Sequence, residues 1–132
     1  MSGENKLGIG RISFPSTVEN NLLLALEEFV RRVDDNVNYL LKPKVVTTTS
    51  TYTATDLDST ILCNGTFTVT LPDAATVEGK QLTVKNIGTG TVTVDGFGSQ
   101  EIDGDTTEGL ATQYQAIVLH SDGENWFKLA TK

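Results

Sequence analysis

The spacing of apolar residues changes character once along the chain, close to Pro43. Upstream of it, Leu23, Leu26, Val30, Val33, Val37 and Leu40 follow one another at steps of 3, 4, 3, 4 and 3, the a/d pattern of a heptad seam. Ser16-Thr17-Val18-Glu19 precedes them with the S-x-x-E spacing of a capping box, in which hydroxyl and carboxylate each satisfy a backbone N–H at a helix start. The pattern predicts a helix from Thr17 to about Leu41, roughly 37 Å long, stopped by Pro43. Glu27 with Arg31 and Glu28 with Arg32 form i,i+4 pairs outside the seam. Downstream the period becomes two: Thr66-Phe67-Thr68-Val69-Thr70-Leu71, Leu82-Thr83-Val84 and Thr91-Val92-Thr93-Val94 alternate hydroxyl and apolar side chains, as half-buried strands do. Nineteen of the chain's 20 threonines lie in this part.

Turn residues break the alternation at short intervals, among them Asn64-Gly65, Pro72-Asp73, Asp95-Gly96, Asp103-Gly104 and Asp122-Gly123. The strands between them are expected at about 46–54, 59–63, 66–71, 80–87, 91–95, 100–102, 112–120 and 125–130, with Asn64-Gly65 as a two-residue hairpin turn. The predicted fold is mainly β: an N-terminal helix forming a short coiled-coil stalk, then a small antiparallel β-sandwich or jelly-roll-like module. Four segments follow: an extended arm over 1–16, an oligomerisation helix over 17–42, a linker over 43–46 and the module over 47–131.

The helix is apolar beyond its seam, since Leu22, Leu24, Phe29 and Leu41 widen the stripe. Such a helix either covers a sheet of its own chain or joins other copies, and the heptads alone do not separate dimer from trimer. The arm carries Leu7, Ile9, Ile12 and Phe14 at nearly alternating positions among three glycines, which suits docking on a partner as well as a frayed terminus.

Charge sharpens this division. The net charge of −7 over 132 residues is not spread evenly. Six cations and six anions cancel over residues 1–44, whereas residues 45–132 hold four cations and eleven anions, so the whole deficit lies in the β part. An acidic module of this kind repels nucleic-acid phosphates and anionic lipid, and neither nucleic acid nor membrane is expected as a partner. The first ten residues lack the apolar core of a signal peptide and no aliphatic run approaches a membrane span, which reads as a soluble, cytoplasmically made product.

The inventory is poor in reactive groups, with one Cys, one His and one Trp. No enzyme activity, metal or cofactor is expected from it. His120 lies between an apolar strand and Ser121-Asp122-Gly123, but neighbours in sequence alternate around a turn and do not make a triad. Cys63, beside no cation, reads as a half-buried strand residue. Asp56-x-Asp58 and Asp103-x-Asp105 lack the rest of a calcium loop and read as solvated turn acids. Asn64-Gly65-Thr66 matches a glycosylation sequon but reads as a turn. Trp126 is a candidate ligand contact, able to stack on a sugar ring or to plug the end of the core.

One series of residues is more specific. Thr70-Leu71-Pro72-Asp73-Ala74-Ala75, Gly79-Lys80-x-Leu82-x-Val84-Lys85-Asn86, Gly98-x-Gln100-x-Ile102-Asp103-Gly104 and Leu119-x-Ser121-Asp122-Gly123-x-Asn125-Trp126, in that order, resemble a β-module of fibre and appendage proteins of tailed bacteriophages. The resemblance covers about residues 47–130. It implies a virion component made in the bacterial host, usually a homotrimer, attached through its N-terminal region to capsid, collar or tail proteins and displayed outward. No catalytic residue carries over. With one short helix and one module the chain fits a small head fibre, a collar or tail appendage, or an adaptor rather than a long tail fibre or spike. The seam from Leu23 to Leu40 would hold the trimer, while Leu7, Ile9, Ile12 and Phe14 would dock on the virion. A host-surface glycan bound through Trp126 and the turn acids is the alternative reading.

Overall fold

A computed structural model describes residues 16–132, apart from the side chains of residues 37–41. It is mainly β, with one N-terminal helix and two sheets. The chain divides at the Lys42–Pro43 bond into two units. Helix α1 spans Ser16–Leu41, one residue longer at its start than the capping box predicts, and at 1.5 Å per residue is about 39 Å long. The Glu28 carboxylate pairs with both Arg31 at 2.7 Å and Arg32 at 3.2 Å, so Arg31 takes the i,i+3 partner rather than Glu27.

The second unit contains strands β1 (Lys44–Thr48), β2 (Tyr52–Thr53), β3 (Asp58–Cys63), β4 (Phe67–Thr70), β5 (Gln81–Asn86), β6 (Val92–Asp95), β7 (Thr107–Leu110), β8 (Ala116–Ser121) and β9 (Trp126–Thr131). Sheet A has the order β1-β3-β5-β8-β9 and sheet B the order β2-β4-β6-β7. The chain thus passes from A to B three times, and each pass stacks parallel on the one before: β1 on β3 on β5, and β2 on β4 on β6. Only the later strands run antiparallel, β7 on β6, β8 on β5 and β9 on β8. The expected all-antiparallel arrangement is therefore wrong for the first three passes.

The corners explain why. Asn64 does not have a positive φ, so Asn64-Gly65 cannot form the type I′ turn of a tight hairpin. Instead it carries the chain from β3 across to β4 in the other sheet. Backbone bonds from Asn64 N–H to Thr48 O (3.0 Å) and from Ile87 N–H to Cys63 O (2.7 Å) continue the parallel register through this corner. The stacked corners approach so closely that a Cβ on Gly88 would strike Asn64, and one on Gly90 would strike the backbone of Gly65.

Alternation places one side of each strand in a shared core. Ile61, Leu82, Val84, Ile117 and Leu119 from sheet A meet Val69, Val92, Val94 and Leu110 from sheet B in one buried cluster, joined by Leu71, Ile102 and Trp126 from the loops and β9. The segment predicted as a strand over 100–102 contributes only isolated bridges at Ile102, and β7, which was not expected, closes sheet B. Glu108 of β7 receives Lys128 Nζ of β9 at 3.0 Å, tying the last strands of the two sheets. Where β9 would expose an edge, Asp103 in the left-handed region (φ 52°) turns its carboxylate to accept from Lys128 N–H at 3.0 Å.

Two polar side chains in the core are fully paired. Asn86, wholly buried, donates to Gly90 O (2.7 Å) and Leu110 O (2.9 Å) and accepts from Gly88 N–H (3.0 Å), pinning the β5–β6 corner to β7. Asp58, also wholly buried, accepts at Oδ2 from the Tyr52 hydroxyl and Thr55 N–H, both at 2.8 Å, and its Oδ1 lies 2.9 Å from Lys44 Nζ on the adjacent strand. It is not the solvated turn acid that its Asp56-x-Asp58 context suggests.

Two outcomes follow from these networks. Asn86→Ala leaves the carbonyls of Gly90 and Leu110 unpaired and should lower stability in urea melts by about 1–3 kcal/mol for each group stranded. Burial alone pushes the Asp58 carboxyl up, but the Thr55 N–H, the Lys44 ammonium and the Tyr52 hydroxyl outweigh it and the net shift is downward from 3.8. A carboxylate held below its unfolded value stabilises fully above that value and loses its contribution as pH falls through the folded one. The stability margin of wild type over Asp58→Asn should therefore be constant from pH 7 to about pH 5 and shrink below pH 3.8; urea melts across that range check it.

Candidate functional site

The strongest candidate surface is on α1. Among its described side chains Leu22, Leu23, Leu24, Leu26, Phe29, Val30 and Val33 are each between 43% and 64% exposed. At 3.6 residues per turn, Val18, Leu22, Leu23, Leu26, Phe29, Val30 and Val33 fall within an arc of about 140°, while Leu24 sits on the opposite side. A two-stranded seam needs only two positions in seven, so this face is wider than a dimer requires. Of the predicted seam, Leu23, Leu26, Val30 and Val33 share one side of the helix. The side chains of Val37 and Leu40, and all of Leu7, Ile9, Ile12 and Phe14, lie outside the described residues.

The module's two outward faces differ in chemistry. On sheet B the register aligns Thr53, Thr70, Asp95 and Thr107 in one row and Thr68 with Thr93 in the next, a hydroxylated and acidic surface. On sheet A the outward rows are Val45, Thr60, Thr83, Val118 and Thr47, Leu62, Lys85, Ala116, with Gln81, His120 and Phe127 at the end. The five strands of sheet A contain a single acid, Asp58, and it points inward to Lys44.

Trp126 has no exposed surface. Its Nε1 donates to Pro72 O at 3.2 Å, its backbone N–H donates to Glu101 O, and Asp103 N–H donates to its carbonyl. The plug role is realised, and no ring face is available to a sugar. Around it the quoted motif residues converge. Gln100 accepts from Ala74 N–H (2.9 Å) and donates to Asp73 Oδ1 (2.7 Å), while Ser121 Oγ donates to Ala74 O (2.8 Å) and accepts from Gly123 N–H (3.1 Å). Residues far apart in sequence thus form one hydrogen-bonded node.

The Ser121 hydroxyl and the Asp122 carboxylate are turned to backbone partners. His120 is half-buried on the outward side of β8, whereas Ser121 points inward to Ala74 and Asp122 Oδ1 accepts from Asn125 and Glu124 N–H groups, which hold its carboxyl below the ordinary range. Cys63 is buried, and burial pushes its thiol up to about 11, away from the nucleophilic thiolate. A shallow depression of about 450 Å³ is lined by Glu78, His120, Ser121, Asp122, Phe127 and Leu129. Among the described residues no three His, Cys, Asp or Glu side chains gather as a metal site would need, and no helix is long and apolar enough to cross a membrane. No model of a known protein family matches the chain, and no curated protein matches it by sequence.

Sequence reading missed Asp58, Asn86 and Gln100 as structural residues. A glycine-rich stretch after Asn86, Ile87-Gly88-Thr89-Gly90, was the available signal for one of them. Because Trp126 is the only Trp, its emission should be blue-shifted in the native chain and unaffected by saccharides at millimolar concentration, and should shift red only on unfolding. A saccharide-dependent change in that emission would overturn the plug assignment.

Proposed function

We propose that the protein is a non-enzymatic structural component of a tailed-bacteriophage particle, a small homotrimeric fibre, appendage or decoration protein. Its helix forms a short coiled-coil stalk, its β-sandwich module is displayed outward, and the N-terminal arm with Leu7, Ile9, Ile12 and Phe14 docks on capsid, collar or tail proteins. One observation carries this reading: a helix with a wide, exposed apolar face precedes a module that holds the entire charge of −7. A face of about 140° exceeds a dimer seam and favours three chains. The resemblance of residues 47–130 to fibre modules supports the setting, and the Gln100–Trp126 node supports a structural role for the residues that carry it. The alternative, a glycan-binding module using Trp126 and the turn acids, finds no stacking ring in Trp126, which is buried.

The test is the mass of the full chain in solution. Sedimentation equilibrium at micromolar concentration should give three times 14.2 kDa. Val30→Asp with Val33→Asp should release monomers whose Trp126 emission remains native, because the substitutions affect only the helix face. A wild-type monomer, or a double variant that still sediments as a trimer, contradicts the proposal.

A further inference from the structure

The two ends of the module differ sharply in charge. The register and the order of the strands fix which residues share an end. Where Lys44 pairs with Asp58, strands β1, β3, β5, β7 and β9 begin and strands β2, β4, β6 and β8 finish. The connections at that end, residues 54–57, 71–80, 96–106 and 122–125, hold eight acids. The other three, Asp58, Asp95 and Glu108, stand at or next to the same ends of their strands. The connections at the far end, residues 49–51, 64–66, 87–91 and 111–115, hold none. All eleven acids of residues 45–132 therefore crowd one end, where that stretch supplies only Lys80 and Lys128 as cations. Lys128 is already engaged by Glu108 at 3.0 Å, and Lys85 and Lys132 lie toward the other end. A field this one-sided attracts cations to one end of the module and leaves the other nearly neutral.

The depression of about 450 Å³ lies at this acidic end. Its apolar part is Phe127 and Leu129, two residues apart on β9 and 43% and 52% exposed. Two acids stand beside them. Glu78 lies along the β8–β9 turn, with its Cγ and Cδ 3.3 Å from where a Cβ on Gly123 would stand, so its stem is held next to the turn that carries Asp122. Asp122 Oδ1 accepts from Glu124 and Asn125 N–H groups, and neither bond uses Oδ2. No Lys or Arg lines the depression, and among the described residues no ion pair neutralises either acid. Exposed apolar side chains beside uncompensated carboxylates match a group with an aliphatic stem and a cationic head, as Arg and Lys have. A metal ion fits less well, because no three His, Cys, Asp or Glu side chains gather among the described residues. We infer that this depression is a docking site for a basic segment of another protein, in which an Arg or Lys lays its stem on Phe127 and Leu129 and offers its charge to Glu78 and Asp122. Apolar neighbours of that residue cover what the stem leaves exposed, and the remaining acids of this end steer further cations of the segment into place. The site belongs to the module alone and does not depend on association through α1.

Peptide binding to the full chain, followed by fluorescence anisotropy, tests this. The probe is a labelled peptide of three Arg-Leu repeats; one companion has Glu in place of Arg and another Ser in place of Leu. The Arg-Leu peptide should bind, and each companion at least tenfold more weakly. Glu78→Gln with Leu129→Ser should weaken the Arg-Leu peptide at least tenfold. Glu101→Gln with Asp105→Asn removes more charge from the same end but outside the depression, and should change the affinity less than twofold. Native Trp126 emission shows that each variant is folded; should Leu129→Ser disturb it, Glu78→Gln alone should still weaken binding at least threefold. Equal losses in the two pairs mean attraction by the diffuse field and overturn the site. Equal binding of the Glu-Leu peptide overturns the role of the acids. Equal binding of the Arg-Ser peptide, with displacement of the probe by spermidine or calcium at the same site, makes the occupant a bare cation and overturns the protein segment. No binding at about millimolar peptide overturns the proposal outright.

Discussion

An apolar helix face whose described side chains are exposed sets the terms for the whole molecule. Burying a Val, Leu or Phe side chain contributes about 1.5–3 kcal/mol, so the exposed residues between Val18 and Val33 represent on the order of 10 kcal/mol per chain before the entropy of association is subtracted. Among its described residues the helix has two ion pairs, both to Glu28, and these are solvent-exposed and contribute little to its stability. In the assembly proposed above, the contact that covers the apolar face would also keep the helix folded, whereas the module has a core of its own.

The module reaches its stability by a different route. Its three parallel passes require corners that stack on one another, and the polar groups freed at those corners are met by buried side chains: Asn86 at one end, Asp58 with Lys44 and Tyr52 at the entry, Gln100 and Ser121 around the Asp73–Thr76 turn. Each of these groups sits where the backbone leaves one sheet for another and cannot complete its own ladder. Consequently the acids divide into two populations. Asp58 is structural and buried; the remainder of the module's acids occupy loops and sheet B, and Asp58 is the one acid on the strands of sheet A.

Much of this was legible from spacing. The helix bounds follow from Ser16 to Glu19 and from Pro43, and six of the strands follow from period-two alternation together with turn residues. What alternation cannot supply is the identity of each strand's neighbour, because a residue that faces the core does so equally in a parallel or an antiparallel pair. Asn64-Gly65 illustrates the limit: the dipeptide suits a hairpin, but the φ of Asn64 and the packing of Gly90 against Gly65 send the chain to the other sheet. Asp58 was misread for the same reason. Its burial depends on Lys44 lying in register across β1 and β3, a pairing between residues 14 apart that no local pattern announces. The two roles considered for Trp126 were separable only by its exposure, and the Pro72 carbonyl that holds its indole is 54 residues away.

The central claim is that copies of this chain cover one another's helix face. Hydrogen exchange read residue by residue along α1, at micromolar and then at low nanomolar concentration, tests it most directly. The account predicts strong protection from Leu23 to Val33 at the higher concentration and its loss on dilution, with the amides of β5 and β8 protected equally in both. Helix amides that exchange at the same fast rate at both concentrations, beside a protected module, would contradict it.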